Sequence, residues 1–363
     1  MKINTLQRAS EAAWIESRQR WQVNVQADGK RKTFTSAIRG RKGKHEAEAK
    51  ADEWLLSQGN PTVTEAWDAC IEAVKVRYAT TTVSSRKATM RKHVLPIVGE
   101  MRIGDVKLKD WQKCVDTACA AGRSTATVGN VLATIGLLTK YCRRRGWPVE
   151  VPLPGDIIMP RAAAVNPRSA LAADKIRLLF AESQQGQHLH WLYAWRLMAL
   201  TGMRRGEMCG LKWEDVRGNY LRVERAVNAL HQVTDGKTIN AKRIVVLSEM
   251  ARNVLDKQAQ YLAEKHIETE WIFPDPEGGM PNPDRVRREW RKYSAEMGID
   301  CKMHELRHTF VTLVKNDMPL ALLKSQVGHS AEMDTIGVYG HTTANDMTEI
   351  ARIIDGAYLR VIK

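Results

Sequence analysis

The spacing of apolar and polar positions divides the chain into stretches of different period. From Arg20 the run RWQVNVQADGKRKTF sets Trp21, Val23 and Val25 on one face of a strand, turns at Asp28-Gly29 and returns through Thr33, Phe34 and Thr35. Period-two alternation on both sides of an Asp-Gly pair predicts a β-hairpin. HEAEAKADEWLL, from His45, then reads as a helix. Beyond Asn60-Pro61 the patterns VTEAWDACIEAV, SSRKATMRKHVLPIVG, KDWQKCVDTACAAG and TATVGNVLATIGLLTKYCRRRGW all carry helical periodicity, so that Thr62 to Trp147 is expected to form a four-helix bundle. Five prolines between Pro148 and Pro167 mark a linker. Helical patterns return after it, interrupted by alternating runs at Tyr220–Val227 and Lys242–Leu247 that predict strands of one small sheet.

Charge adds a partner to this outline. The 363 residues hold 56 Lys and Arg against 41 Asp and Glu, a net charge of +15, with 44% hydrophobic residues. That apolar fraction excludes a disordered polycation, and a folded chain with such an excess points to a polyanion, nucleic acid before an anionic membrane. No stretch is long and apolar enough to span a membrane and no secretory leader opens the chain, so a cytoplasmic, nucleoid-associated protein is expected. The six cysteines form no CxxC pair and read as reduced core thiols.

The cations cluster. Arg20 opens the hairpin, and Lys30, Arg31, Lys32, Arg39, Arg41, Lys42 and Lys44 follow between Gly29 and His45 with no acidic residue among them. A sheet with such an edge can enter a major groove; the alternative is a solvated hairpin. The bundle carries Arg86, Lys87, Arg91 and Lys92 in one group and Lys140, Arg143, Arg144 and Arg145 in another, read as phosphate contacts or as ordinary solvated helix faces.

Near the C-terminus, polar residues interrupt apolar helices. TGMRRGEMCGLKWEDV holds Arg204, HELRHTFVTLV holds His304 and Arg307, QVGHS holds His329, and TIGVYGH holds Tyr339. These four motifs, in this order, resemble those of the tyrosine recombinase (phage integrase) family. The resemblance implies a mainly α fold with small β elements (α+β). It implies an arm-type DNA-binding domain with a three-stranded sheet at 1–60, a helical core-type DNA-binding domain at 61–150, a linker at 151–167 and a catalytic domain with a C-terminal tail at 168–363. It implies that Tyr339 is the nucleophile, that Arg204, Arg307, His304 and His329 surround the phosphate, and that a hairpin lysine is the general acid. Lys237 holds the family-like place and Lys242 is its competitor; Arg205 is likewise a rival to Arg204, and Tyr358 to Tyr339.

The implied reaction joins DNA 3′-phosphate to a tyrosine and passes through a Holliday junction, integrating and excising a mobile element without metal or cofactor. The implied partners are double-stranded attachment-site DNA, three further copies of the chain in a tetramer, a DNA-bending host factor and an excisionase; in the family the tail commonly packs on a neighbouring protomer, and packing in cis and in trans both stay open for this chain. HELRH also satisfies the HExxH zinc pattern of a metalloprotease, a reading that would not explain the charge, the basic hairpin or the other three motifs. A type IB topoisomerase and a non-catalytic DNA-binding regulator remain the competing readings.

Overall fold

The computed structural model describes residues 10–27, 30–159, 170–182, 188–234, 242–299, 301–328 and 343–363. The chain divides into two compact units, residues 1–166 and 167–363.

The first unit holds two apolar cores. Strands β1 (Ala13–Ile15), β2 (Arg20–Ala27) and β3 (Lys30–Ser36) form an antiparallel sheet in the order β1-β2-β3, with Val23 opposite Phe34 and Val25 opposite Lys32. Val23, Val25 and Ala27 bury one face of β2 against Ala47, Ala51 and Leu55 of α1 (Arg41–Gly59), whose four-residue spacing lines one side of the helix. Helix α1 starts four residues before the expected His45. Arg41, Lys42 and Lys44 therefore belong to its first turn rather than to the hairpin edge. Gly43 makes this start possible, because a Cβ there would overlap the Ile38 carbonyl oxygen at 1.7 Å.

The second core of this unit lies among α2 (Val63–Val74), α3 (Thr80–Thr89), α4 (Leu95–Val98), α5 (Leu108–Ala120) and α6 (Thr125–Arg144), around Trp67, Trp111, Ile135 and Leu138. Thr62 and Glu65 cap α2 reciprocally, as T-x-x-E predicts, and Ser124 caps α6. Between α3 and α4 runs a π turn, Met90–Val94, in which the Leu95 N–H reaches the Met90 carbonyl. Pro96 accounts for it: proline has no N–H to continue the α ladder, and its ring crowds the carbonyl four residues earlier. Part of the expected linker is structured, since Ile157 enters this core and both backbone polar groups of Ile158 bond to the side chain of Gln112.

The second unit is built around α8 (Leu189–Thr201), buried from Trp191 to Thr201 apart from Tyr193. Packed with α8 in the same core are α7 (Ala173–Phe180), α10 (Glu249–Glu264), α11 (Pro283–Glu296), α12 (Glu305–Val314), α13 (Leu320–Val327) and α14 (Ala344–Ile362). A short helix, α9 (Arg205–Cys209), follows α8. The run Tyr220–Val227 does not form one strand. Strands β4 (Val216–Arg217), β5 (Tyr220–Val223) and β8 (Arg243–Val246) make one antiparallel sheet, whereas β6 (Ala226–Val227) pairs with β7 (Val233–Thr234). The break falls at Arg225, whose guanidinium turns to Asp215 at 2.6 Å and Glu214 at 3.2 Å. The tail α14 is amphipathic as expected, but Ile350, Ile353, Ile354 and Tyr358 are covered within their own unit, and Asp355 caps α10 through the Glu249 and Met250 N–H groups. A neighbouring protomer is not needed to bury that face. Among the described residues no helix is long and apolar enough to cross a membrane.

Candidate functional site

Helix α8 ends on Gly202 at φ +67°, where a side chain would meet the Phe310 ring at 2.6 Å. The chain can then turn so that Arg204 stands at the N-terminus of α9. Glu207, in the first turn of α9, accepts the Arg204 N–H at 2.9 Å and its Nη1 at 2.8 Å. Arg243, from β8, grips the same carboxylate with Nη1 at 3.1 Å and Nη2 at 2.9 Å.

The opposite wall is the end of α13. It closes on Gly328 at φ +69°, and three successive carbonyls there accept from three arginines. Gln326 accepts Arg243 Nε at 3.0 Å, Val327 accepts Arg307 Nη1 at 2.7 Å, and Gly328 accepts Arg204 Nη2 at 2.9 Å. Arg307 Nη1 also donates to the Gly202 carbonyl at 2.7 Å, tying α12 to the end of α8. Helix C-termini carry partial negative charge and unfilled carbonyls, which explains why cations collect here. The Gln326 side chain fixes α13 to β8 by bonding both backbone polar groups of Val246.

Three guanidiniums against one carboxylate leave a net positive site. Burial drives the Arg307 pKa down to about 10, helped by the charge of Arg204 and opposed by Glu207. It remains protonated at neutral pH. Burial pushes the Glu207 carboxyl up, but the hydrogen bonds and charge of Arg243 and the bonds from Arg204 outweigh this and hold it below its ordinary value. Arg204 is the outermost of the three, its side chain 45% exposed against 7% for Arg243. An anion approaching from solvent meets a guanidinium already oriented by its neighbours.

The structure thus brings Arg204 and Arg307 together from motifs about one hundred residues apart. Arg205, the rival to Arg204, lies outside this cluster's hydrogen bonds and pairs with Asp284 at 3.7 Å. His304 stands just before α12, exposed, one turn from Arg307, with its ring edge-on to His308 at 5.1 Å. His308 is half-buried and its Nε2 has no hydrogen-bond partner among the described residues. In HELRH the Glu305 carboxylate is buried and takes the Lys302 N–H, so it caps its own helix. Among the described residues no group of His, Cys, Asp and Glu could hold a metal.

Tyr358 is removed as a nucleophile: it is fully buried, its hydroxyl donates to the Ala199 carbonyl, and burial raises its pKa far above the phenol range. Lys237, His329 and Tyr339 lie outside the described residues. Lys242 is exposed, just before β8. Sequence reading left Glu207 and Arg243 without a role. Glu207 had a signal in the R-x-x-E spacing of a helix start.

The candidate DNA contacts divide. Arg31, Lys87, Arg91, Lys92, Lys140, Arg143 and Arg144 are exposed. Arg86 is not a free phosphate contact as expected: its Nη1 bonds the Asn130 carbonyl and Thr134 Oγ1, joining α3 to α6. Arg39 lies over the Trp14 ring at 5.6 Å and beside Glu16, Lys32 lies over Phe34 at 5.3 Å, and Lys44 pairs with Glu11 at 2.6 Å. Arg20 is half-buried at the start of β2, and Lys30 starts β3. Arg41 and Lys42 are exposed on α1. The sequence reading missed the uncovered face of the sheet, where Gln22, Asn24 and Gln26 stand opposite Thr35, Thr33 and Arg31.

Residues 169–346 match the phage integrase family. The integrase of Staphylococcus phage L54a is 29% identical over 165 residues, covering 40% of this chain and 46% of the phage protein. A XerC-like tyrosine recombinase of Caldanaerobacter subterraneus subsp. tengcongensis is 22% identical over 360 residues, covering 88% and 91%. The fold matches that of lambda integrase, solved as a tetramer bound to a Holliday junction, with a TM-score of 0.58 at 17% identity over 92% of this chain and 98% of that one. Residues 169–346 therefore form a phage integrase (tyrosine recombinase) family domain.

Proposed function

We propose that the chain recombines double-stranded DNA at attachment sites through a 3′-phosphotyrosyl intermediate. In this reading the Tyr339 phenolate attacks the scissile phosphorus, the P–O5′ bond breaks, and Lys237 protonates the leaving oxygen, with Lys242 as the alternative acid. Charge gathering on the non-bridging oxygens is met by Arg204 and Arg307, with His304 and His329 as further donors. A tyrosine with an ordinary pKa of about 10 needs such cations nearby to ionise near neutrality. The released 5′-hydroxyl of a second duplex attacks the phosphotyrosine and frees Tyr339. Two rounds produce a Holliday junction and then resolve it. The ester bond conserves the energy of the cut strand, so the residues named complete the cycle without a metal or nucleotide.

The observation that carries this reading is the meeting of Arg204 and Arg307 at one net-positive cluster, drawn from two separate motifs. The exposed sheet face with its amides, hydroxyls and Arg31 suits base edges in a major groove, and the bundle cations suit phosphates. In this reading four protomers assemble on core and arm sites, in keeping with the lambda integrase tetramer bound to a Holliday junction. A DNA-bending host factor and an excisionase set direction, in the cytoplasm of a bacterial host. The test is a suicide DNA substrate whose cut strand cannot be religated. Wild type should trap a covalent adduct and Tyr339→Phe none; an adduct in the variant refutes the nucleophile. A paired-site assay then separates strand exchange from simple relaxation.

A further inference from the structure

Arg243 has no place in the chemistry above, yet it is one of the most heavily engaged side chains in the catalytic unit. It is 7% exposed, as is the carboxylate it grips, and Nε, Nη1 and Nη2 all donate. We propose, resting on the recombinase reading, that Arg243 is a positioning residue for DNA cleavage: it orients and neutralises Glu207 so that Arg204 keeps its charge for the phosphate, and it fixes the end of α13 at Gly328.

Three observations support this. The first is charge. Arg204 and Glu207 alone would form a neutral pair, and a guanidinium satisfied by its own carboxylate has less to offer an incoming phosphate. Arg243 shares both oxygens of Glu207: Oε1 accepts Nη1 of both arginines, and Oε2 accepts Arg243 Nη2 and the Arg204 backbone N–H. The triad carries one net positive charge, and its exposed member is Arg204.

The second is geometry. The Arg243 guanidinium lies against Gly328, where an added Cβ would stand 3.0 Å from both Cδ and Nη1. The same side chain bonds the Gln326 carbonyl, while Arg204 bonds the Gly328 carbonyl. One group therefore sets the distance between Arg204 and the end of α13.

The third is economy of design. Arg243 lies on the same side of β8 as the buried Val245, a place an apolar side chain would fill. Replacing a buried ion pair with apolar groups is often neutral or stabilising, so stability alone does not call for a guanidinium here. Lysine would keep the charge but lose the fork that holds both oxygens.

The experiment measures single-turnover adduct formation on a suicide substrate, DNA affinity and thermal unfolding for the full chain and its variants. Arg243→Met breaks one side of a buried ion pair and should unfold earlier than wild type, so rates are compared at a temperature where both are fully folded, and there it should bind DNA within about threefold. Its adduct should form about 10²-fold more slowly, the loss that a misplacement of about 1 Å can cause. Arg243→Lys should fall between the two. In a Glu207→Gln background, where no carboxylate needs neutralising and only the hold on the end of α13 remains to be lost, Arg243→Met should cost less than it does in wild type. A wild-type rate in Arg243→Met overturns the proposal, as do losses in the double variant that multiply, or a loss that disappears at a temperature where the variant is fully folded. If wild type itself forms no adduct, the recombinase reading falls and takes this one with it. An adduct in wild type with no loss in Arg243→Met overturns this proposal alone.

Discussion

In the first unit the cations that remain available stand in water: Arg31, Lys87, Arg91, Lys92, Lys140, Arg143 and Arg144 are all exposed. In the second, Arg307 keeps 6% of its exposure and Arg243's side chain 7%, and both are bonded to carbonyls or to Glu207. Solvated charges can follow a phosphate backbone of any sequence, displace its counterions and give affinity that depends steeply on salt. Arginines held by fixed acceptors do not rearrange when charge develops in front of them, which favours a transition state over a ground state. In the proposed reading, cationic side chains thus serve binding in one unit and chemistry in the other.

Substitutions should separate these roles. The largest effect is expected from Arg307→Ala, which removes a donor to the phosphate and leaves the Gly202 and Val327 carbonyls unmatched. Adduct formation should fall by about 10²–10³-fold while DNA affinity changes little; a parallel loss of affinity would place Arg307 with the binding cations. Next in size, Lys140→Ala, Arg143→Ala and Arg144→Ala combined should flatten the plot of log affinity against log salt by about 0.9 for each phosphate no longer neutralised. Adduct formation at saturating DNA should hardly change, and an unchanged salt slope would take these residues off the DNA.

The pH response sharpens the contrast. Glu207 has a folded pKa below its unfolded value, so it stabilises the catalytic unit in full above the ordinary carboxylate range. That contribution is lost as pH falls through the depressed folded value. In Glu207→Gln the unfolding temperature should therefore depend less on pH across the acid range than in wild type; equal slopes would mean that the carboxylate is not held by its arginines. The smallest effect expected is on the bundle, where Thr62→Ala breaks the reciprocal cap of α2 and should cost about 1 kcal/mol in chemical denaturation, with cleavage at saturating DNA untouched.

Much of the molecule is legible in the sequence because it depends on neighbours along the chain. The T-x-x-E cap at Thr62, the two-residue period of β2 and the apolar length of α8 are local patterns, and the Arg204 and HELRH motifs can be placed at helix starts. The parts that are not legible depend on distant meetings. Arg243 can be read as inward-facing from its alternation with Val245, but nothing near it announces Glu207 or Gln326. Gly328 shows as a helix end, although the reason for its bare Cα includes a guanidinium from another strand. Arg86 and Arg225 look like surface charge until α6, Asp215 and Glu214 are folded against them. The π turn before Pro96 is signalled only by the proline.

The central claim is that Tyr339 carries the cut strand. The most direct test digests the trapped protein–DNA complex and locates the modified residue by mass spectrometry. A single 3′-phosphonucleotide adduct, on Tyr339, is expected. Modification of any other side chain, or cleavage of the strand with no protein attached, would contradict it.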